Sequence, residues 1–330
     1  MASSKSVVLA ALFANGAIAI LKFVGFLLTG SAAMLSETYH SISDTGNQVF
    51  LLIGIRYSNR ASTRRHPFGY GKAEFFYSFL VSVLLFGIAG WESAKHGWNN
   101  VTGGHGGGHG GEHGGGIDLL GVTYTPPGWI DPLWVNYGVL IGAIVFEAYA
   151  LKKANAGMQR AMREHGWSSY REAFRKTSDV TTLTAFTEDT IAMAGAGIAL
   201  FGVFLSSPQG LGDPIYDSVS ALLIGLMLMG FAIALAWQNK RLLLGEGLPQ
   251  AEQARLRAIV AEWDGVAEVV DFRTVYFGPD SLLVTADVAF EAGIATVEMD
   301  ERITAIEDAL VEATGTIEKV YVEPEESGAG

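Results

Sequence analysis

The chain has 330 residues, of which 49% are hydrophobic, and a formal net charge of −12. Together with a mean hydropathy of +0.29, this composition excludes a typical soluble domain and a disordered chain. Cysteine is absent, which excludes a disulfide framework and a thiolate metal site. Any bound metal must therefore be held by His, Asp, Glu or backbone oxygen.

Six windows are long and apolar enough to span a membrane, a task that needs about 20 residues. They cover about 7–29, 34–56, 74–95, 133–151, 183–205 and 215–237. The first window is followed at once by the second, which argues against a cleaved signal peptide. Because the short N-terminus also lacks an Arg-rich transit segment, we expect a bacterial inner (plasma) membrane rather than an organelle.

The charges between these windows predict the orientation of the chain. The loops after the second and fourth spans are rich in Lys and Arg, whereas segments 97–132 and 206–214 contain neither. Cytoplasmic loops of membrane proteins carry an excess of Lys and Arg. We therefore expect both basic loops and both termini to be cytoplasmic.

The second span contains two side chains that can bind a metal, His40 and Asp44. At a spacing of four residues they share one face of a helix. Ionisable groups inside a membrane cost several kcal/mol unless they face a partner or a wet cavity. An imidazole and a carboxylate could form half of a four-coordinate divalent-metal site. The alternative is a structural His–Asp hydrogen bond that seals a helix–helix contact.

Polar residues in the first half of the chain have less specific interpretations. Lys22 in the first span should snorkel to the interface or face a polar interior. His66, in the turn-forming loop HPFGYGK, fits a turn residue better than a ligand. The tract GGHGGGHGGEHGGG is either a loose metal lure or an inert linker; its candidate ligands are His105, His109, Glu112 and His113.

The later spans add carboxylates. Glu147 in the fourth span favours pairing with a neighbouring base at the interface. Glu188 and Asp189 are adjacent acids in the fifth span, which are hard to explain as filler in a membrane. The segment AMAGAG that follows them allows another helix to approach closely. Asp217, in the first turn of the sixth span, should stabilise the N-terminus of its helix rather than bind metal.

The region from residue 247 onward has five basic and 18 acidic residues, which makes it a poor binder of nucleic acid. Its pattern predicts a compact αββαβ unit. The helices fall at 249–262 and about 295–313, and the strands are VVDFRTVYF, SLLVTADVAF and TIEKVYVEP. A unit of about 75 residues would gain stability by pairing with a second copy.

Three features occur in this order ahead of the αββαβ unit: SAAMLSETYHSISD, the loop HPFGYGK and the acidic fifth span. Together they resemble the cation diffusion facilitator family of divalent-metal transporters. The resemblance implies an α-helical membrane protein with a six-helix transport domain (1–240) and a cytosolic ferredoxin-like dimerisation domain (247–323). It also implies a homodimer that exports a metal ion, usually zinc, in exchange for protons, from a site built by spans two and five.

By this resemblance His40 and Asp44 match the ligand pair of span two, and Asp189 matches an Asp of span five. Ala185 lies where zinc transporters of the family usually place His or Asp. We assign the fourth ligand to Glu188, with Glu147, a bidentate Asp189 or a water as alternatives. Tyr70 lies where some members carry a His ligand, which makes a second site in that loop doubtful.

Metal binding expels protons from such a site, so alternating access gives metal–proton antiport. One imidazole with three carboxylates is a hard donor set, so we expect Zn²⁺ first and allow Mn²⁺, Fe²⁺ or Co²⁺. The metal is a substrate, and no organic cofactor or enzyme activity is expected. A membrane metalloenzyme and a non-transporting membrane sensor or scaffold are the competing interpretations.

Overall fold

A computed structural model describes residues 2–102, 117–119, 122–124, 131–279 and 281–326. The helices are α1 (Ala2–Thr29), α2 (Ala32–Ser58), α3 (Lys72–Leu84), α4 (Trp91–Val101), α5 (Pro132–His165), α6 (Tyr170–Lys176), α7 (Val180–Ser206), α8 (Ile215–Leu243), α9 (Gln250–Ala261) and α10 (Thr296–Ala313). The strands are β1 (Ile117–Leu119), β2 (Val122–Tyr124), β3 (Val266–Gly278), β4 (Ser281–Phe290) and β5 (Ile317–Pro324). A π-helical segment, Leu85–Gly90, joins α3 to α4.

The chain divides into two compact units. The first, the helical unit, comprises residues 1–53, 77–174 and 181–237, and the second, the sheet unit, comprises residues 54–76, 175–180 and 238–330. The core of the helical unit joins six elements through large buried side chains, among them Phe26, Leu85, Leu140, Ile191 and Leu228.

Four helical stretches among the described residues are long and apolar enough to cross a membrane: Lys72–Val101, Pro132–His165, Thr182–Ser206 and Ile215–Leu243. The first two predicted spans are also helical, as α1 and α2, which have 28 and 27 residues. In α1 the described apolar stretch is the shorter Asn15–Thr29, and α2 is interrupted by ionisable residues. Six spans therefore remain a prediction, and four are supported by length and composition.

Helix α5 of the helical unit differs from its predicted form. The span predicted at 133–151 continues as helix α5 to His165, where Gly166 ends it with φ 67°. The basic segment after Leu151 is therefore largely helical rather than loop. It ends beside Trp167, which is buried against Met158 and Ala173.

The sheet unit has the predicted element order, α9–β3–β4–α10–β5. β3 pairs antiparallel with β4, and β4 pairs parallel with β5, giving the sheet order β3–β4–β5. Side chains of β4 alternate between buried and partly buried, as expected for a strand with one face on a core. Both helices contribute to that core through Leu256, Val260, Ile306 and Leu310.

The loop HPFGYGK has a structural role within the sheet unit. Phe68 stacks on Phe277 with ring centroids 4.9 Å apart. A Cβ on Gly71 would clash with the carbonyl oxygen of Phe277, so only glycine fits there. His66 is exposed, with its ring 4.3 Å from that of Tyr70. The loop therefore packs on the end of the β3–β4 hairpin.

Candidate metal site

One face of α2 carries four buried polar residues, Glu37, His40, Asp44 and Asn47, which we call the polar stripe. Their spacings of three and four residues place them above one another on the helix. The exposed fractions are 0%, 1%, 6% and 1%, so the whole stripe is buried. Such a concentration of polar groups on a buried helix face points to a function, because burying unpaired polar groups is costly.

His40 and Asp44 form a close pair at the centre of the stripe. The distance between His40 Nδ1 and Asp44 Oδ1 is 3.5 Å. Both imidazole nitrogens and Asp44 Oδ1 are buried without a hydrogen-bond partner. Buried polar atoms are normally satisfied, so three orphaned atoms in one pair demand an explanation. A nitrogen and an oxygen donor left free in this way fit the requirements of a divalent cation.

On α7, the predicted acids Glu188 and Asp189 have different environments. Glu188 is buried, and its Oε1 accepts a hydrogen bond from Asn47 Nδ2 at 2.5 Å. Asp189 is partly exposed and lies within electrostatic range of Asp44 and Glu188. The Asn47–Glu188 bond is thus a direct polar link between the two helices that carry the predicted ligands.

Two contacts define how α2 and α7 are aligned. Asn47 contacts Glu188. Glu37 lies beside Gly195, since a Cβ added to Gly195 would be 2.5 Å from Glu37 Oε1. The helices are therefore antiparallel, because higher numbers on α2 meet lower numbers on α7. Asp189 lies between Glu188 and Gly195 in sequence. This alignment brings it to the level of the stretch that contains His40 and Asp44.

The four predicted ligands do not form a closed coordination set in this conformation. Among the described residues, no group of three or more His, Asp or Glu side chains is arranged to hold a metal ion. The structure instead brings His40 to Asp44, and holds Glu188 on Asn47, one helical turn beyond Asp44. Binding of one ion by all four would require side-chain movement. The ligand set therefore stays a prediction.

Sequence reasoning missed Glu37. Lys22 Nζ donates to Glu37 Oε2 at 2.8 Å, and both side chains are fully buried. Of the two alternatives for Lys22, the polar interior is the one observed. Glu37 precedes His40 by three residues, and this spacing alone could have identified it as a member of the same face. Glu147 is also buried, and the base with which it interacts electrostatically is Lys22 of α1.

Asp217 lies in the first turn of α8, as predicted, and its structural role extends to a second helix. Its carboxylate accepts hydrogen bonds from Ser31 Oγ at 2.8 Å and from the backbone N–H of Ala32 at 2.6 Å. Asp217 therefore caps the N-terminus of α2 instead of serving only its own helix. The predicted candidates His105, His109, Glu112 and His113 lie outside the described residues.

Comparison with known proteins agrees with these features. The family described as the cation efflux transmembrane domain matches residues 8–244. The human proton-coupled zinc antiporter SLC30A9, mitochondrial, is 29% identical over 290 residues, which cover 88% of this chain and 46% of that protein. Metal tolerance protein C4 of Arabidopsis thaliana is 25% identical over 287 residues, covering 87% and 57%.

A third relative is similar over a shorter stretch. The magnetosome protein MamM of Paramagnetospirillum magneticum is 37% identical over 89 residues, which cover 27% of this chain and 28% of that protein. The chain spans about half the length of the human and plant relatives. Since the family match covers most of the chain, the protein belongs to the cation efflux, or cation diffusion facilitator, family.

Proposed function

We propose that this protein exports a divalent metal cation across a membrane in exchange for protons, with Zn²⁺ as the preferred substrate. The observation that carries the proposal is the buried His40–Asp44 pair, in which three polar atoms lack a hydrogen bond. Family membership and the human relative named as a proton-coupled zinc antiporter support it. The transport site would be completed by Asp189 and Glu188 of α7.

Proton exchange follows from the chemistry of the donors. An imidazole binds a metal only when neutral, and carboxylates bind it only when ionised, so metal entry displaces protons and proton entry displaces metal. If the site opens alternately to the two sides of the membrane, this competition couples the two fluxes. The coupling needs only that the same atoms bind either a metal ion or protons.

The donor set also bears on the choice of metal. One imidazole with three carboxylates is harder than a site with two imidazoles, and Ala185 supplies no donor. Such a set accepts Mn²⁺, Fe²⁺ or Co²⁺ as well as Zn²⁺. An exporter of one of these ions is therefore the alternative within the same family.

The sheet unit would act as a cytosolic dimerisation domain of ferredoxin-like fold, and the transporter as a homodimer. Its αββαβ order and its small size support this role. Positive residues in the loop after α2 and along the segment from Lys152 to Lys176 support a cytoplasmic location for both termini. The bacterial inner membrane stays a prediction, and the human relative is named as mitochondrial.

Transport in proteoliposomes tests the proposal. We expect Zn²⁺ uptake driven by an imposed pH gradient, accompanied by proton movement in the opposite direction, and loss of both in His40→Ala and Asp44→Ala. Thr38→Ala is the matched control, because Thr38 is equally buried on α2 but bonds only to the backbone oxygen of Met34. Flux that survives both ligand changes would show that the site is assigned wrongly. A protein that binds metal without any flux would favour the sensor.

A further inference from the structure

The ion pair between Lys22 and Glu37 has no role in the site described so far. It joins α1 to α2 at 2.8 Å with both side chains fully buried. A buried ion pair contributes little net stability, because each ion loses several kcal/mol of hydration. An apolar pair of similar volume would hold the two helices at least as well. The pair therefore calls for a reason other than stability.

Its position along α2 suggests that reason. Glu37 precedes His40 by three residues, so it lies about 4.5 Å from it along the helix axis, toward the end where α1 turns into α2. Gly30, with φ 71°, marks that turn. An ion that leaves the His40–Asp44 pair along the polar stripe in this direction meets Glu37 next.

Three helices close around the pair at this level. Lys22 comes from α1, Glu37 from α2, and Gly195 of α7 lies so close that a Cβ on it would be 2.5 Å from Glu37 Oε1. The neighbouring residues of α2, Met34 and Ser36, are fully buried as well. The candidate site is thus sealed on the side of the α1–α2 turn.

The two oxygens of Glu37 differ in a way that suits a gate. Oε2 accepts from the Lys22 ammonium, whereas Oε1 is buried without a hydrogen-bond partner. The Lys22 ammonium is thus a cation bound to Glu37, the carboxylate next to His40 along the stripe. It also interacts electrostatically with Glu147 and Asp44. A divalent cation that moves toward Glu37 repels this ammonium and competes for the carboxylate.

We propose that the Lys22–Glu37 ion pair is the gate of the metal path on the side of the α1–α2 turn. In the conformation described here, the Lys22 ammonium binds the Glu37 carboxylate that a passing metal ion would otherwise contact. The ion pair separates when the metal ion leaves the site. The inference rests on the proposed transport function for its direction, but the closure of the site can be measured without any transport.

The absence of cysteine makes an accessibility experiment direct. Ser41→Cys places a thiol at a position that is 3% exposed, on the far side of Glu37 from the turn. A membrane-impermeant methanethiosulfonate reagent is then applied from the side of the turn. That side is identified by Leu211→Cys, because Leu211 is 64% exposed in the loop just before α8. With no other change, we expect the thiol of Ser41→Cys to react slowly and that of Leu211→Cys to react fast.

Opening of the gate should raise the labelling rate of the Ser41→Cys thiol. We expect Lys22→Gln and Glu37→Gln, each added to Ser41→Cys, to accelerate labelling at least tenfold, and the reversed pair K22E/E37K to restore slow labelling. The matched control is Phe26→Ala, which loosens α1 one turn away without changing charge. Rates within twofold of Ser41→Cys alone in both Gln variants would overturn the gate. So would an equal acceleration in Phe26→Ala, because the effect would then be loss of packing.

A double variant tests the gate even if Lys22→Gln or Glu37→Gln folds poorly. K22M/E37M removes both charges at similar volume and should fold. We expect it to keep the Ser41→Cys thiol protected but to lower metal flux at least tenfold, because an apolar plug offers a passing cation no carboxylate. Flux within threefold of the parent would overturn the gate. Absence of flux in the parent chain, with the expected labelling rates in the Ser41→Cys series, would instead refute the transport function.

Discussion

Asn47→Ala tests whether Asn47 positions a metal ligand. Asn47 donates its hydrogen bond to Glu188 across the α2–α7 contact, and both side chains are buried. A hydrogen bond to a charged group contributes about 1.5–3 kcal/mol. At about 1.4 kcal/mol per tenfold change, loss of this bond corresponds to about 10–150-fold in an equilibrium constant.

The direction of the effect depends on what Asn47 does in the metal-bound protein. A carboxylate has two oxygens, so Glu188 can bind metal through Oε2 while Oε1 keeps the bond to Asn47. The bond then fixes the orientation of the ligand, and residues in such supporting positions typically affect metal affinity by about 10–100-fold. We therefore expect Asn47→Ala to weaken Zn²⁺ binding by a factor in this range.

Isothermal titration calorimetry on the detergent-purified protein measures this change directly. Asn136→Ala is the matched control, because Asn136 is also a buried amide of the helical unit, on α5, and has no part in the proposed site. We expect less than a threefold change in that variant. Unchanged affinity in Asn47→Ala, or a loss no larger than in the control, would refute the positioning role. Tighter binding would show that the bond restrains Glu188 away from the metal.

Three further predictions concern stability. Gly225→Ala should destabilise the protein by about 1–3 kcal/mol, because its Cβ would clash with the backbone nitrogen of Ala94, whereas Gly230→Ala, with nothing within 4 Å, should be neutral or stabilising in thermal unfolding. Asp217→Ala should lower stability by about 1–2 kcal/mol in the same assay, since Ser31 Oγ and the backbone N–H of Ala32 lose their acceptor. Burial raises the pKa of Tyr276 to about 12 from an ordinary value of 10.0, so the folded state holds this proton to higher pH than the unfolded state. The contribution of this proton to the free energy of unfolding, up to about 3 kcal/mol, is complete below about pH 10 and is lost by about pH 12. Tyr276→Phe should remove this pH dependence from chemical unfolding curves.

Much of the fold could be predicted because its signals are local. Apolar windows of sufficient length located the long helices, and alternation with turn residues located the sheet of the second unit. The end of α5 could not be found in this way, since hydropathy falls at Lys152 while Ala, Gln, Arg and Met continue to favour helix. The helix ends only at Gly166, whose left-handed conformation suits a C-terminal cap.

The site was only partly predictable for a different reason. His40 and Asp44 reveal themselves by spacing within one helix, whereas the pair of Lys22 with Glu37 depends on how α1 is rotated against α2. The Asp217 cap joins residues 186 positions apart, at the two ends of the helical unit's sequence. Such contacts are fixed by helix packing, which a single sequence does not encode in any short pattern. The structure supplied them.

The polar stripe of α2 and the small residues of α7 depend on each other. Ala192, Gly195, Ala196 and Ala199 recur at spacings of three and four, and the three alanines are at most 2% exposed. A face of such small side chains lets a neighbouring helix approach closely, and the residues of the stripe are at most 6% exposed. At Gly195 this is most stringent, since a methyl group there would meet Glu37 Oε1 at 2.5 Å. Ionisable groups that are buried close together interact more strongly than groups in water, because the interior screens charge less. The run AMAGAG therefore sets the closeness of α2 and α7 on which the proposed competition between metal and protons depends.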